Sequence, residues 1–462
     1  MTGAQIDVFL KTLAIIGVLL IIGTFLRAKV KLFQKLFLPA CVIGGVIGLI
    51  LGPRVLNIIP SITDEIVTTA SNMPGRLFGI MIAAMPMCAA KLKKSELVKR
   101  ADAITIALVI TLVAALQFAL GFLVNVICTR TGIEVYAGFG TELFQGFCGG
   151  HGTAASIGGY FENLGQPYWE AAQGVGMSFA TFGMVGGILI GVTLINIGAR
   201  RGWTHYVTDP GNLPAEMKTG LIKEEDNRPS AGKLTTAGGS IETFALHLAL
   251  IFVAVAIGYG IVYLIKKFQI PYLIYMSNWF WMLVAMYIIW PIVRALGYDK
   301  YFDPAVKSRI TGTVTDFIVT AAIMSMPISV IITYWVPILV TVVLGFAMTV
   351  ALTLVLQKKF LQEDWFEKSV GPLGMMTGDF ITGVLLTRMV DPDTKSNALP
   401  DFSIAYSLNT FYCVALSSVI YPYVVTRGAM SAALFTGSHA LALAAALVVF
   451  ILLTNRKKKA AA

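Results

Sequence analysis

Apolar runs of about twenty residues alternate with short polar joints along nearly the whole chain, and about twenty apolar residues suffice for a helix to cross a bilayer. The pattern predicts spans near 6–26, 34–52, 76–90, 103–128, 170–198, 240–265, 270–294, 313–333, 335–356, 401–425 and 430–454. The longest polar interruption, 199–239, contains "KEEDNRPSAGK" and reads as a cytoplasmic linker. It divides the chain into halves of similar plan. Each half has four spans, then a glycine-rich stretch, then a fifth span; the stretches are 136–167 and 369–393. An odd number of spans inverts the second half, so the first stretch enters from outside and the second from inside. Inverted repeats whose broken segments meet near the midplane are a transporter plan.

The expected fold is therefore an all-α polytopic membrane protein with two inverted-topology repeats, each carrying a reentrant hairpin. The expected divisions are 1–198 for the first repeat, 199–239 for the linker, 240–428 for the second repeat and 429–462 for an extra helix with a basic tail.

Composition agrees. Of 462 residues, 56% are hydrophobic and only 13% are charged, against about 25% charged in soluble domains. The net charge of +10 could suggest nucleic acid, but the basic residues cluster between apolar runs instead of forming a stripe. Such clusters record orientation. With the N-terminus outside and the C-terminus cytoplasmic, most of the 35 basic residues fall in inner loops. Lys11, Arg54, Arg76, Arg130, Lys266, Lys267 and Arg427 then lie outside. The five cysteines (Cys41, Cys88, Cys128, Cys148, Cys413) are scattered, with no CxxC pair, which argues against a disulfide framework.

The chemistry concentrates in the two glycine-rich stretches. Non-helical backbone at membrane depth is tolerated only inside protein or beside water. "GGHGT" at 149–153 and "TGDFITG" at 377–383 have the composition of hairpin tips. Turn N–H groups there suit a carboxylate, and carbonyls suit a sodium ion. The bland alternative is a pair of flexible loops. His151 is either a hydrogen-bond donor at a site or a residue holding the hairpin in shape. Thr153, Ser156 and Thr382 supply hydroxyls. Asp379 either binds a cation, takes up a proton or receives a substrate amine, or it caps a turn. Asn409 is either a ligand or an interhelical hydrogen bond. Glu242 and Asp316 are read as acids favoured near helix N-termini ahead of ligands, and Arg388 as an arginine snorkelling to the cytoplasmic face ahead of one holding a carboxylate. No Walker A, HExxH or GxSxG motif occurs, and no nucleophile–base pair can be placed, so an ATP-driven pump or an enzyme is not expected.

"GGHGTAAS" followed by "SFATFGMVGGILIG" (Ser178 to Gly191) resembles the bacterial sodium:glutamate symporter family, as do "LPACVIGGVIG" (Leu38 to Gly48) and "IETFALHLALI" (Ile241 to Ile251). The resemblance implies sodium-driven transport of an anionic amino acid across the bacterial inner membrane, an elevator-like motion and a homodimer. It places the substrate at Gly149, Gly150, His151, Gly152 and Thr153. The second hairpin departs from the family pattern: "GDFITG" matches at Gly378 and Thr382, and an aspartate replaces a small neutral residue. An extra negative charge there disfavours a dianionic substrate or calls for another cation.

The expected function is a sodium-coupled symporter for glutamate or a related small carboxylate. Gly149, Gly150, His151, Gly152, Thr153, Ser156, Gly378, Thr382 and Asn409 would line the substrate site. Asp379, Thr382 and Thr153 would contribute to sodium. The alternatives are a proton-coupled or exchange transporter of another small substrate, working through His151 and Asp379, and a passive channel.

Overall fold

The computed structural model describes residues 2–36, 38–88, 101–206, 216, 219–270, 273, 278–361, 363–391 and 395–461. The expected inner-loop cluster Lys91–Arg100, most of the N-terminal part of the linker and residues 392–393 of the second hairpin lie outside these. The described residues form helices and no strands. In the first half these are α1 (Gly3–Lys29), α2 (Lys31–Lys35), α3 (Ala40–Leu51), α4 (Asp64–Ala84), α5 (Ala101–Arg130), α6 (Thr141–Phe147), α7 (Gly150–Ala154), α8 (Ile157–Asn163) and α9 (Trp169–Arg200). The second half has α10 (Thr243–Lys267), α11 (Asn278–Ala295), α12 (Pro304–Met324), α13 (Ile328–Thr333), α14 (Trp335–Phe360), α15 (Trp365–Gly378), α16 (Phe380–Val390) and α17 (Ala398–Ala461).

Seven of the described helices are long and apolar enough to cross a membrane: α1, α5, α9, α10, α11, α14 and α17. The chain is a polytopic membrane protein. The expected spans 401–425 and 430–454 are the two arms of α17, which breaks at Gly428 (φ +79°). The expected eighth span, 313–333, is displaced. Asp303 caps α12 and Pro304 starts it nine residues earlier than its apolar run suggests, the aspartate accepting from the Ala305 N–H at 2.7 Å and the Val306 N–H at 3.3 Å. Burial opposes ionisation of Asp303, but these backbone bonds and one from Lys233 outweigh it and hold the carboxyl below its ordinary range. At the other end Pro327 stops the helix, because a proline disfavours α conformation at the residue before it. Asp316 consequently lies mid-helix on an exposed position, which removes its reading as an N-terminal acid. Glu242 does cap α10, accepting from the Phe244 and Ala245 N–H groups.

The helices pack in two groups. One comprises α1, α3, α4, α10, α11 and α12; the other comprises α5–α9 and α14–α17. Close approach within the first group rests on small residues, as expected where helices associate without a hydrophobic driving force. A Cβ on Gly44 would overlap the Leu19 carbonyl of α1. Between the groups, α7 and α8 lie against α4 and α12. There Gly75 of α4 meets Gly159 of α8 backbone to backbone, Tyr160 packs edge-on against Trp279 at 4.2 Å, and Arg76 pairs with Glu162 at 2.8 Å.

Candidate functional site

The two glycine-rich stretches come together. The first folds as three short helices, α6 to α8; the second is the helical pair α15–α16, joined at Asp379. Both are interior. From Gly138 to Phe161 only Gly149 and Thr153 are not fully buried. In the second, every residue from Phe366 to Gly378 is buried, and accessibility begins at Asp379, Phe380 and Ile381. Within 138–161 and 366–381 the accessible points are thus the tips.

The tips touch at Gly150. Its φ of +64° is a left-handed conformation that glycine adopts without strain. A Cβ placed there would lie 2.8 Å from Asp379 Cβ and 3.3 Å from both Asp379 Oδ2 and the Gly378 carbonyl. Helix α9 supports both tips. A Cβ on Gly183 or Gly187 would overlap Thr377, and His151 Nε2 lies 3.1 Å from Thr181 Oγ1. The Thr181 hydroxyl donates its proton to the Met177 carbonyl at 3.0 Å. It therefore accepts from His151, which assigns the ring proton to Nε2. His151 is tied to α9 by that bond.

Asp379 is an N-cap and something more. Its Oδ1 accepts from the Thr382 N–H at 2.8 Å. Its backbone has φ +125° and ψ 177°, which costs a residue with a side chain about 1–3 kcal/mol. A cap contributes about 1 kcal/mol. The Thr382 side chain and the Ile381 N–H also bond this carboxylate, and its Oδ2 lies on the side of the first tip, 3.3 Å from where a Cβ on Gly150 would be.

The remaining expected residues divide. A Cβ on Gly152 would make ordinary contact with Thr315 of α12 and Met81 of α4, on the face toward the first helix group. Thr153 Oγ1 packs over Gly149 and donates to the Gln145 carbonyl at 2.7 Å, and Ser156 Oγ donates to the Thr153 carbonyl at 2.6 Å. Both hydroxyl protons serve local turns. A Cβ on Gly378 would come within 2.9 Å of Thr382 Oγ1 and 3.0 Å of Met184 Cα. Asn409 is buried beside the first tip; its Oδ1 accepts from Thr111 Oγ1 at 3.1 Å and Cys413 Sγ at 3.3 Å, and its amide lies 4.0 Å from Cys148 Sγ. Arg388 is exposed and stands apart from the tips, with no ion pair among the described residues.

Sequence reasoning missed three polar residues around the tips. Gln117 of α5 donates to the Met376 carbonyl at 2.8 Å and to Thr349 Oγ1 at 2.9 Å, one turn below the second tip. Gln145 reaches Ser417 Oγ at 2.9 Å. Glu142 is fully buried, taking the Tyr136 hydroxyl at 2.7 Å and the Gly140 N–H at 2.6 Å. Glu142 alone carried a signal, as an acid inside "FGTELFQGF".

Two broken, interior helical segments that meet at accessible tips inside a helical membrane protein define a transporter-like class. The family described as sodium/glutamate symporter matches residues 4–370, and the chain belongs to that family. The match takes in the first tip and ends nine residues before Asp379. No curated protein matches. A symporter of this family is in general a sodium-coupled glutamate transporter and not an enzyme.

Proposed function

We propose that this protein is a sodium-coupled symporter that imports glutamate or a related small carboxylate at the junction of the two tips. The contact of Gly150 with Asp379 carries the reading. It sets the glycine backbone of the first tip beside the Asp379 carboxylate and the Gly378 carbonyl of the second. Asp379 Oδ2 and the Gly378 carbonyl are the oxygen donors for sodium; Gly149, Gly150 and the start of α7 face the substrate carboxylate. Bound sodium offsets the charge of Asp379, which makes room electrostatically for an anion where water is scarce. Coupling follows, because neither ion alone is well compensated. Thr153, Ser156 and Thr382 shape the tips, and Asn409 and His151 fix the first tip from either side.

The helix groups support two inverted repeats. Each half gives three helices to the first group (α1, α3, α4; α10, α11, α12). Each then gives a helix, a hairpin and a helix to the second (α5, α6–α8, α9; α14, α15–α16, α17). The smooth Gly75–Gly159 contact suits sliding of the second group past the first, an elevator-like motion, with the first group forming the contact between protomers of a homodimer.

Purified protein in proteoliposomes tests the reading. An inward sodium gradient should drive concentrative uptake of radiolabelled glutamate or another small carboxylate. Uptake indifferent to sodium and driven by a proton gradient would replace it with proton coupling through Asp379.

A further inference from the structure

Away from the tips, the chain leaving α9 folds back onto the base of the second hairpin. His205, Asp364 and Glu367 converge there, one ligand-type atom from each lying within 4.8 Å of the others. His205 Nδ1 is 2.9 Å from Asp364 Oδ1. That separation is a hydrogen-bond distance; two donors about 2.1 Å from a tetrahedral ion stand about 3.4 Å apart, so loading requires the ring and the carboxylate to part by about half an ångström. The Tyr206 hydroxyl lies 3.3 Å from Asp364 Oδ2, as an outer partner that orients a ligand would.

Glu367 supplies the second observation. It is fully buried. Its Oε1 accepts from the His205 backbone N–H at 2.6 Å, yet its buried Oε2 has no hydrogen-bond partner. An orphaned carboxylate oxygen in the interior is costly, and buried carboxylates are ordinarily paired or coordinated to metal. The adjacent lysine does not serve it: Lys368 Nζ turns to Asp102 at 2.6 Å. Two carboxylates and one imidazole form a set with a charge that a divalent cation neutralises.

We infer that His205, Asp364 and Glu367 bind a borderline divalent cation of the zinc type, clamping the end of α9 to the start of α15. Imidazole with carboxylate favours zinc, cobalt or nickel over magnesium, which prefers an all-oxygen shell. With the linker cytoplasmic, the site reads the cytosolic side, and the clamp holds the base of the very hairpin whose tip carries Asp379.

The test uses the tag-free full chain in detergent, titrated with cobalt(II) and followed by its visible ligand-field absorption. Saturation at about one cobalt per chain is expected, reversed by added zinc. His205→Ala should abolish the absorption. Its ring is on the surface, so the variant should elute and melt as wild type does. Glu367→Gln should weaken binding by tenfold or more. Absence of saturable cobalt binding in wild type, or unchanged binding in His205→Ala, would overturn the site and leave His205 and Asp364 as a simple hydrogen-bonded pair.

Discussion

The two tips meet face to face but solve the problem of a bend in different ways. The first is built from glycine: the backbone turns at Gly150 without strain, Gly149 and Gly152 stand close by, and Thr153 and Ser156 spend their hydroxyl protons on their own turns. The second turns at an aspartate, whose φ of +125° a glycine would tolerate better. One tip is neutral backbone; the other carries an acidic side chain in a strained position. Strain of this kind persists where surrounding structure over-determines it and is concentrated at functional sites. The difference matches the roles of the proposed symporter, in which the neutral tip would offer donors to an anion and the acidic tip oxygens to a cation.

The largest effect should come from spoiling the contact itself. Gly150→Ala introduces a Cβ 2.8 Å from that of Asp379, at a backbone angle that alanine resists. Sodium-driven uptake in proteoliposomes should fall to background while the protein still elutes as a single species. Uptake within about twofold of wild type would mean that the tips need not touch, since a shift of about 1 Å at a built site costs on the order of a hundredfold.

Next in size are two substitutions at Asp379. Asn keeps an acceptor for the Thr382 N–H and the same backbone strain, but it removes the charge. It should lower apparent sodium affinity roughly 10- to 100-fold, the equivalent of losing about 1.5–3 kcal/mol of charge-assisted contact. Gly removes charge and cap but relieves the strained backbone. It should leave the thermal transition no lower than that of Asn, because the relief of about 1–3 kcal/mol offsets a cap of about 1 kcal/mol. Wild-type sodium affinity in both variants would strip the second tip of its ionic role.

The outline of this arrangement was legible in the sequence because apolar runs and glycine clusters are local signals. Spans such as α5, α10 and α14 follow from about twenty apolar residues, and "GGHGT" and "TGDFITG" mark both tips. Their meeting is not a local property: Gly150 and Asp379 are far apart in the chain, and only packing brings them into contact. Gln117, with partners on α14 and α15, was invisible for the same reason. Hydropathy also misplaced α12, because a cap at Asp303 and a stop at Pro327 set its ends, neither of which is an apolar signal. The hydroxyls of Thr153 and Ser156 are the converse case. Their residue type suggested ligands, but their side chains close turns within eight residues of their own positions.

That converse case yields the smallest expected effect and the sharpest check on the asymmetry between the tips. If the first tip binds through backbone, removing the Ser156 hydroxyl should cost only its bond to the Thr153 carbonyl, about 1 kcal/mol of stability. Ser156→Ala should therefore lower the melting temperature slightly and leave substrate and sodium affinities within about twofold of wild type, since nothing that faces the ligand is lost. A substrate affinity reduced tenfold, with an unchanged melting temperature, would show the hydroxyl released from its turn and turned to the substrate. The first tip would then bind through side chains as the second does, and the division of labour between neutral donors and a charged acceptor would fail.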